Sequence, residues 1–337
     1  MTGRTAPARP GGQTVNDETS TWRGSGLRLA GYGHYYPRTR VEITDEGSHE
    51  GNAVDTAVIG TLDVRARHVA EEDETVPFMA VQAAGRALEH AGLDAADTDL
   101  LILSNWTDRQ FVPEHGPQVA HLLGAGRALA FDVCGACTGF VHGVQTAAAL
   151  LGARPGWRTA VVVSSEQFSR RVRPGSRGEL VVGDAAGAAV LVKGAAGGED
   201  GLWDSLLISD GAARETVTVL PPRGWIKSSR SLVDVAVASH ADLADRVLAR
   251  AGLKMADIDW VVPHPGTGVL HRAVQERLGI PGERFVTNFE ERANTGSASI
   301  PIVLSEMARD GRMKPGDLLL TPTVGSGWYY GGLLFRA

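Results

Sequence analysis

The sequence predicts an α/β fold assembled from two copies of one strand-and-helix unit, and three observations carry that prediction. Arg86–Leu100 (RALEHAGLDAADTDL) lies over Arg246–Trp260 (RVLARAGLKMADIDW) with Arg, Leu, Ala-Gly-Leu, Ala-Asp and Asp repeated at one offset. The register continues with small slips, so that Leu123-Gly124 matches Leu278-Gly279, Ala136-Cys137-Thr138-Gly139 matches Ala293-Asn294-Thr295-Gly296, and Thr159–Val163 matches Gly316–Leu320. Within each copy helical stripes alternate with short apolar runs, the pattern of sheets covered by helices on both faces and mostly parallel. Self-similarity at so long a period marks a duplicated domain, since solenoid repeats are far shorter.

The elements follow in order. Residues 1–22 are rich in Gly, Pro, Thr and Arg and read as a disordered tail without the apolar stretch of a signal peptide. Leu27–Tyr32 reads as a first strand and Asp45–Asn52 as a polar loop. Phe78, Val81, Ala84, Leu88 and Ala91 fall at spacings of three and four, one stripe of a helix that Gly92 stops. Leu100–Ser104 (LLILS) suits a strand buried on both faces. Phe131–Val133 reads as a strand end and Thr138–Leu151 as an Ala-rich helix. The halves meet near Gly194–Gly201, giving an N-terminal half of residues 23–195 and a C-terminal half of residues 196–337.

Composition excludes several function classes. In a chain of 337 residues, 43% hydrophobic against 21% charged residues leaves ample material for a core and rules out wholesale disorder. A net charge of −6 is the wrong sign for a protein that neutralises phosphates, so nucleic acid is not an expected partner. Two cysteines cannot make a disulfide framework, which fits a reducing cytoplasm. No apolar run approaches the roughly 20 residues of a membrane helix, so no membrane span is expected.

The candidate chemistry gathers at strand ends. Cys137 stands at the turn into the helix after Phe131–Val133, where amide dipoles favour a thiolate and lower the thiol pKa, so it reads as a nucleophile. A small buried core residue is the plainer alternative. Cys134-Gly-Ala-Cys137 also spells C-x-x-C, which leaves a redox pair open, although no Trp or Pro flanks it. His264 follows Asp259–Val262 in a Pro-His-Pro-Gly turn, where a solvated loop histidine is the alternative, and Asn294 sits opposite Cys137 in the duplication, where the alternative is a helix cap. Gly183–Gly187 and Gly325–Gly327 lack the spacing of phosphate loops and read as sheet turns. No Cys or His pair has zinc-finger spacing, so no metal is expected.

Taken together, FDVCGACTGF around Cys137, VVPHPGTG around His264, RANTGSASIP around Asn294, GDAAGAAVLV from 183 and the closing GSGWYYGGLLFR resemble the β-ketoacyl-acyl carrier protein synthase III family of the thiolase superfamily. The resemblance spans about residues 27–336 and implies a thiolase-like five-layered α-β-α-β-α sandwich, a homodimer, and catalysis by Cys137, His264 and Asn294. It implies an acyl group carried on Cys137, an oxyanion hole from the backbone N–H groups of Cys137 and Ser326, and decarboxylative condensation with a malonyl thioester. The substrates would be thioesters of CoA or acyl carrier protein, with no further cofactor, and Arg177 matches a family arginine near the nucleotide or pantetheine. The chain departs from housekeeping members at Pro265-Gly266-Thr267, which replaces Gln-Ala-Asn, and at Ser326, which replaces a glycine. Ala57 and Thr61 stand where acetyl-CoA-primed members carry the Trp and Arg that clamp adenine. Such departures are typical of relatives in polyketide, antibiotic and other specialised lipid-like pathways. The alternative within the fold is non-decarboxylative acyl transfer to a hydroxyl or amine, with His264 as general base.

Overall fold

The structure is a computed structural model that describes residues 22–43, 62–221, 224–264 and 266–337. The polar loop expected at Asp45–Asn52, the positions Ala57, Thr61 and Pro265, and all of the expected tail except Trp22 lie outside the described residues. Trp22 is anchored, its indole N–H donating to Ser205 Oγ at 2.8 Å.

The first half runs β1 (Leu27–Tyr35), β2 (Thr39–Glu42), β3 (Ala66–Val69), α1 (Val76–Ala91), β4 (Leu100–Ser104), α2 (His115–Leu123), β5 (Leu129–Val133), α3 (Gly139–Ala153), β6 (Thr159–Glu166), α4 (Arg177–Leu180) and β7 (Ala185–Lys193). The second runs β8 (Gly201–Ser209), β9 (Val217–Val219), β10 (Ile226–Ser228), α5 (Leu232–Ala251), β11 (Trp260–Val261), α6 (Gly268–Leu278), α7 (Phe289–Arg292), α8 (Ser299–Arg309), β12 (Leu318–Leu320), β13 (Thr323–Gly325) and β14 (Tyr329–Arg336).

Two sheets form the frame. The first has the order β1-β7-β6-β4-β5; the second has β11-β12-β14-β13, with β8 also paired to β14. Only β6, β4 and β5, and the pair β11 and β12, run parallel; the remaining pairs in both sheets are antiparallel. The mostly parallel sheets expected from strand–helix alternation are therefore mixed, because β13 and β14 follow β12 through short turns instead of helical crossovers.

Side-chain alternation assigns the layers. Along β4, Leu100 and Ile102 point into a core shared with Phe140, Val144, Leu304 and Leu333, while Leu101 and Leu103 point outward onto α1 and α2. On the second sheet Leu319 faces the shared core, and Leu318 and Leu320 face α5 and α6. The layers are thus α1 and α2, sheet, α3 and α8, sheet, α5 and α6: the five-layered α-β-α-β-α sandwich of the thiolase-like fold.

The duplication is visible in the geometry. α1 and α5 both end on glycines in the left-handed region, Gly92 (φ 67°) and Gly252 (φ 69°), each followed by a short 3-10 turn and a strand. α2 and α6 end likewise on Gly124 (φ 87°) and Gly279 (φ 65°).

The edge strand β1 is clamped against α1 so closely that side chains are excluded from one face. A Cβ on Gly31 would lie 2.3 Å from Ala87 O, and one on Gly33 would lie 2.3 Å from Ala83 O and 2.4 Å from Ala87 N. Because these neighbours are backbone, the helix would have to move bodily. Gly33→Ala should destabilise the fold by about 3 kcal/mol, read as a fall in the urea midpoint at constant slope; an unchanged midpoint would show that the helix yields.

Candidate active site

The strand ends of both sheets meet around one cavity of about 510 Å³ that Cys137, His264, Asn294 and Ser326 all line. Its walls are mainly apolar, with Val217 and Val219 of β9 and a cluster in which Val182 and Ile226 pack with Trp106 and Phe168, the last two edge to face at 4.9 Å. An apolar chamber with a few convergent polar groups suits an acyl chain ending at a reactive carbonyl.

Cys137 sits in a 3-10 turn, Ala136–Thr138, that precedes α3; the helix starts at Gly139 and not at Thr138 as the sequence suggested. The turn is closed by Thr138, whose N–H and Oγ1 both donate to Gly135 O, at 3.0 and 2.6 Å. Its tightness extends to the second half: a Cβ on Gly325 would lie 3.2 Å from Cys137 N and 3.0 Å from Gly135 O. That places the end of β13, and the following Ser326, against the nucleophile's backbone. The Ser326 hydroxyl turns away, donating to Val217 O at 2.5 Å. The expectation of a lowered thiol pKa is reversed: although the residue as a whole is only part-buried, burial of the thiol and the nearby Glu166 carboxylate push it up to about 12, against its own backbone N–H. Desolvation outweighs the backbone N–H here.

His264 follows β11 and is 4% exposed, its N–H donating to Pro322 O at 3.0 Å. Burial, with His271 and His240 nearby, lowers it to about 3, so the ring is a neutral imidazole. Asn294 is held at every backbone and most side-chain positions. Its N–H donates to Val181 O and its C=O accepts from Gly183 N, both at 2.9 Å, while Oδ1 accepts from Gly296 N at 2.8 Å and Nδ2 donates to Gly266 O at 3.1 Å. With Oδ1 fixed by that bond, the amide cannot flip, and its second N–H remains to serve a ligand.

Two alanines with positive φ, Ala136 (46°) and Ala293 (57°), immediately precede Cys137 and Asn294. The duplication thus repeats a disfavoured backbone turn at the point where each half presents its functional residue.

Sequence reasoning missed Glu166, at the buried end of β6. It is 0% exposed and accepts from Ser297 Oγ (2.5 Å), Thr107 Oγ1 (2.8 Å) and the N–H groups of Trp106 and Thr107 (3.2 Å each). Burial outweighs those donors and lifts it to about 7. A lone carboxylate closing the buried run VVVSSE was the available signal. Arg177, by contrast, is exposed at the start of α4 and is not among the cavity-lining residues, although Gly178 beside it is. Cys134 is exposed and lines the cavity with Cys137. No group of three or more His, Cys, Asp or Glu side chains among the described residues is arranged to hold a metal ion, and no helix among them is long and apolar enough to cross a membrane.

Comparison with known proteins gives a consistent result. The 3-oxoacyl-[acyl-carrier-protein] synthase III family model matches residues 131–211, and its C-terminal counterpart matches residues 248–337. The β-ketoacyl-[acyl-carrier-protein] synthase III of Sphingopyxis alaskensis is 36% identical over 320 residues, covering 91% of this chain and 98% of that protein. Among solved structures, the 3-oxoacyl-[acyl-carrier-protein] synthase III of Aquifex aeolicus superposes with a TM-score of 0.85 at 30% identity, over 93% of this chain and 100% of that one. The priming β-ketosynthase of the R1128 polyketide biosynthetic pathway superposes with a TM-score of 0.80 at 30% identity, over 92% and 96%.

Two outcomes test the site. If Cys137 alone is the nucleophile, Cys137→Ala abolishes the acyl mass adduct formed from acyl thioesters and Cys134→Ala keeps it; equal loss in both would restore the redox reading of the C-x-x-C. For Glu166, the folded protein holds a proton between pH 4.5 and about 7 that the unfolded chain has released, so this group's contribution to stability falls as pH rises through that window. The stability of the wild type relative to Glu166→Gln should therefore fall by up to about 3 kcal/mol from pH 4.5 to 7, measured by paired urea titrations; a pH-independent difference would show that the carboxyl ionises normally.

Proposed function

The chain belongs to the β-ketoacyl-[acyl-carrier-protein] synthase III family, and on that premise we propose that it loads an acyl group on Cys137 and condenses it with a malonyl-type thioester by decarboxylative Claisen chemistry. The observation that carries the reading is the convergence of Cys137, neutral His264 and a flip-locked Asn294 on one apolar cavity.

In the first half-reaction the Cys137 sulfur bonds to the acyl carbon, and the donor thiol leaves with the cysteine's proton. The backbone N–H groups of Cys137 and Ser326 are the donors we assign to the tetrahedral oxyanion, since β13 is pressed against the Cys137 turn. In the second, the malonyl carboxylate leaves as carbon dioxide and its electron pair enters the thioester as an enolate. The His264 ring and the free Asn294 N–H donate to the enolate oxygen. The carbanion carbon attacks the acyl-Cys137 carbonyl, forming the new C–C bond and releasing the Cys137 thiolate, which takes a proton from solvent.

The donor we favour is an acyl group on a carrier protein, because Ala57 and Thr61 provide no adenine clamp and a phosphopantetheine arm needs only access to the cavity that Cys137 lines. The enzyme would act as a cytoplasmic homodimer, with exposed Arg177, next in sequence to the cavity-lining Gly178, as the residue we assign to the arm's phosphate. Acyl transfer to an alcohol or amine remains the second reading, favoured by the altered Gly266-Thr267 context.

The assay that separates them supplies acylated enzyme with malonyl-CoA or a malonyl carrier and follows carbon dioxide together with the β-keto product. Asn294→Ala should cut carbon dioxide release on the order of 10²–10³ while the acyl adduct on Cys137 still forms. No decarboxylation by the wild type, with discharge of the acyl group onto an alcohol or amine, would overturn the condensing reading.

A further inference from the structure

A second cavity, of about 460 Å³, shares no lining residue with the acyl chamber. It spans the open edge of β1, the edge strand of the first sheet, with α1 on one face of the strand and α8 on the other. Gly33 points at α1 and lets that helix approach closely, so that Arg86, Glu89 and His90, spaced three and four along it, line the cavity from that side. Tyr32 and His34 point to the opposite face, where His34 Nδ1 lies 2.8 Å from Ser305 Oγ and Arg309, one turn further along α8, completes the wall.

The hydrogen bonds already made fix which groups remain for a ligand. His90 Nδ1 accepts the Tyr32 N–H at 3.0 Å, so in the neutral ring Nε2 carries the proton and is a donor. Arg86 is held over the Tyr35 ring at 5.5 Å and gives one N–H to His34 O at 2.7 Å, which leaves further N–H groups of its fork. Arg309 has no hydrogen bond or ion pair among the described residues, and neither has Glu89. Glu306, the carboxylate three residues before Arg309, is engaged elsewhere, accepting from Tyr36 Oη at 2.6 Å and Asn288 Nδ2 at 2.9 Å. The floor is electropositive: of the charged groups acting on His34, which burial chiefly lowers to about 4, Glu306 alone opposes the shift while Arg309, Arg86 and Arg292 add to it.

We propose that this cavity binds a small hydroxylated phosphomonoester. The phosphate would lie between Arg309 and Arg86, taking charge-assisted hydrogen bonds from both guanidiniums and from His90 Nε2–H. Glu89 sets the class of molecule. An unpaired carboxylate at the wall repels a bare anion, but it rewards a ligand whose other end carries hydroxyl donors, and that difference is a source of specificity. The volume agrees, since it lies in the range of small-molecule sites and far exceeds what one phosphate ion fills. None of these residues serves the condensing chemistry, so the site stands or falls apart from it.

Calorimetric titration of the full chain with glycerol 3-phosphate at low salt tests the site. The wild type should bind one equivalent per chain, more tightly than it binds inorganic phosphate. Arg309→Met should weaken binding at least about tenfold, the loss of a charge-assisted hydrogen bond, and Glu89→Ala should erase the preference over inorganic phosphate. Both side chains are exposed, so the folded state tolerates their replacement. Cys137→Ala and Arg177→Ala should bind as the wild type does, which separates this site from the acyl cavity and from the residue assigned to the arm's phosphate. No saturable binding up to about 10 mM, binding unmoved by Arg309→Met, or equal affinity of the wild type for inorganic phosphate overturns the proposal. Loss of binding in Arg177→Ala also overturns it, by placing the phosphate at the other site.

Discussion

A buried carboxylate, together with the backbone bridge from Asn294 to Val181 and Gly183, ties the two halves together at the candidate site. Glu166 closes β6 in the first half and accepts simultaneously from the Trp106–Thr107 loop of the same half and from Ser297, three residues after Asn294, in the second. Asn294 and Cys137 lie on different halves of the chain and share no hydrogen bond of their own among the described residues. Their relation is set by what both turns are fastened to. Glu166 fastens one, and the close approach of Gly325 to the Cys137 turn fastens the other. A carboxylate so deeply placed is costly to desolvate, and four donors are what make its position tolerable.

Much of this was legible in the sequence because duplication repeats local rules. The glycines that end α1 and α5, and those that end α2 and α6, stand at matching positions, since only a left-handed residue lets each helix turn into its next strand. The same matching put Cys137 opposite Asn294, and the positive φ of both preceding alanines shows that the equivalence extends to backbone conformation. Local chemistry of this kind is written within a few residues, so one chain suffices to read it.

Properties that depend on distant neighbours were not legible. The helix dipole predicted a lowered thiol pKa at Cys137, but much of the enclosing wall comes from β9, β10 and β13, 80 or more residues away in the chain, and burial reverses the sign. Strand direction failed for a related reason: helix alternation describes the crossovers, while β14 returns to β12 through short turns and β7 returns antiparallel to β6 after the short helix α4, courses that depend on the tertiary packing. His240 and His271 each occupy an apolar stripe of its own helix, where the sequence pattern makes them ordinary core residues.

The outcome is a resting centre with no formal charge at either reacting group. A high thiol pKa at Cys137 and a low ring pKa at His264 oppose the thiolate–imidazolium pair that activates many catalytic cysteines. Such a pair accelerates attack on any electrophile, but it also places an acidic N–H next to whatever carbanion is later made in the same cavity. Condensation needs that carbanion to survive long enough to find the acyl-Cys137 carbonyl, and a site without an acidic proton protects it. The same apolar walls that receive the acyl chain raise the thiol and lower the imidazole, so substrate fit and charge neutrality have one physical cause. In the proposed mechanism reactivity is then supplied by the substrate: the thiol would attack only when a thioester oxygen meets the backbone N–H groups, and the enolate would appear only when carbon dioxide leaves.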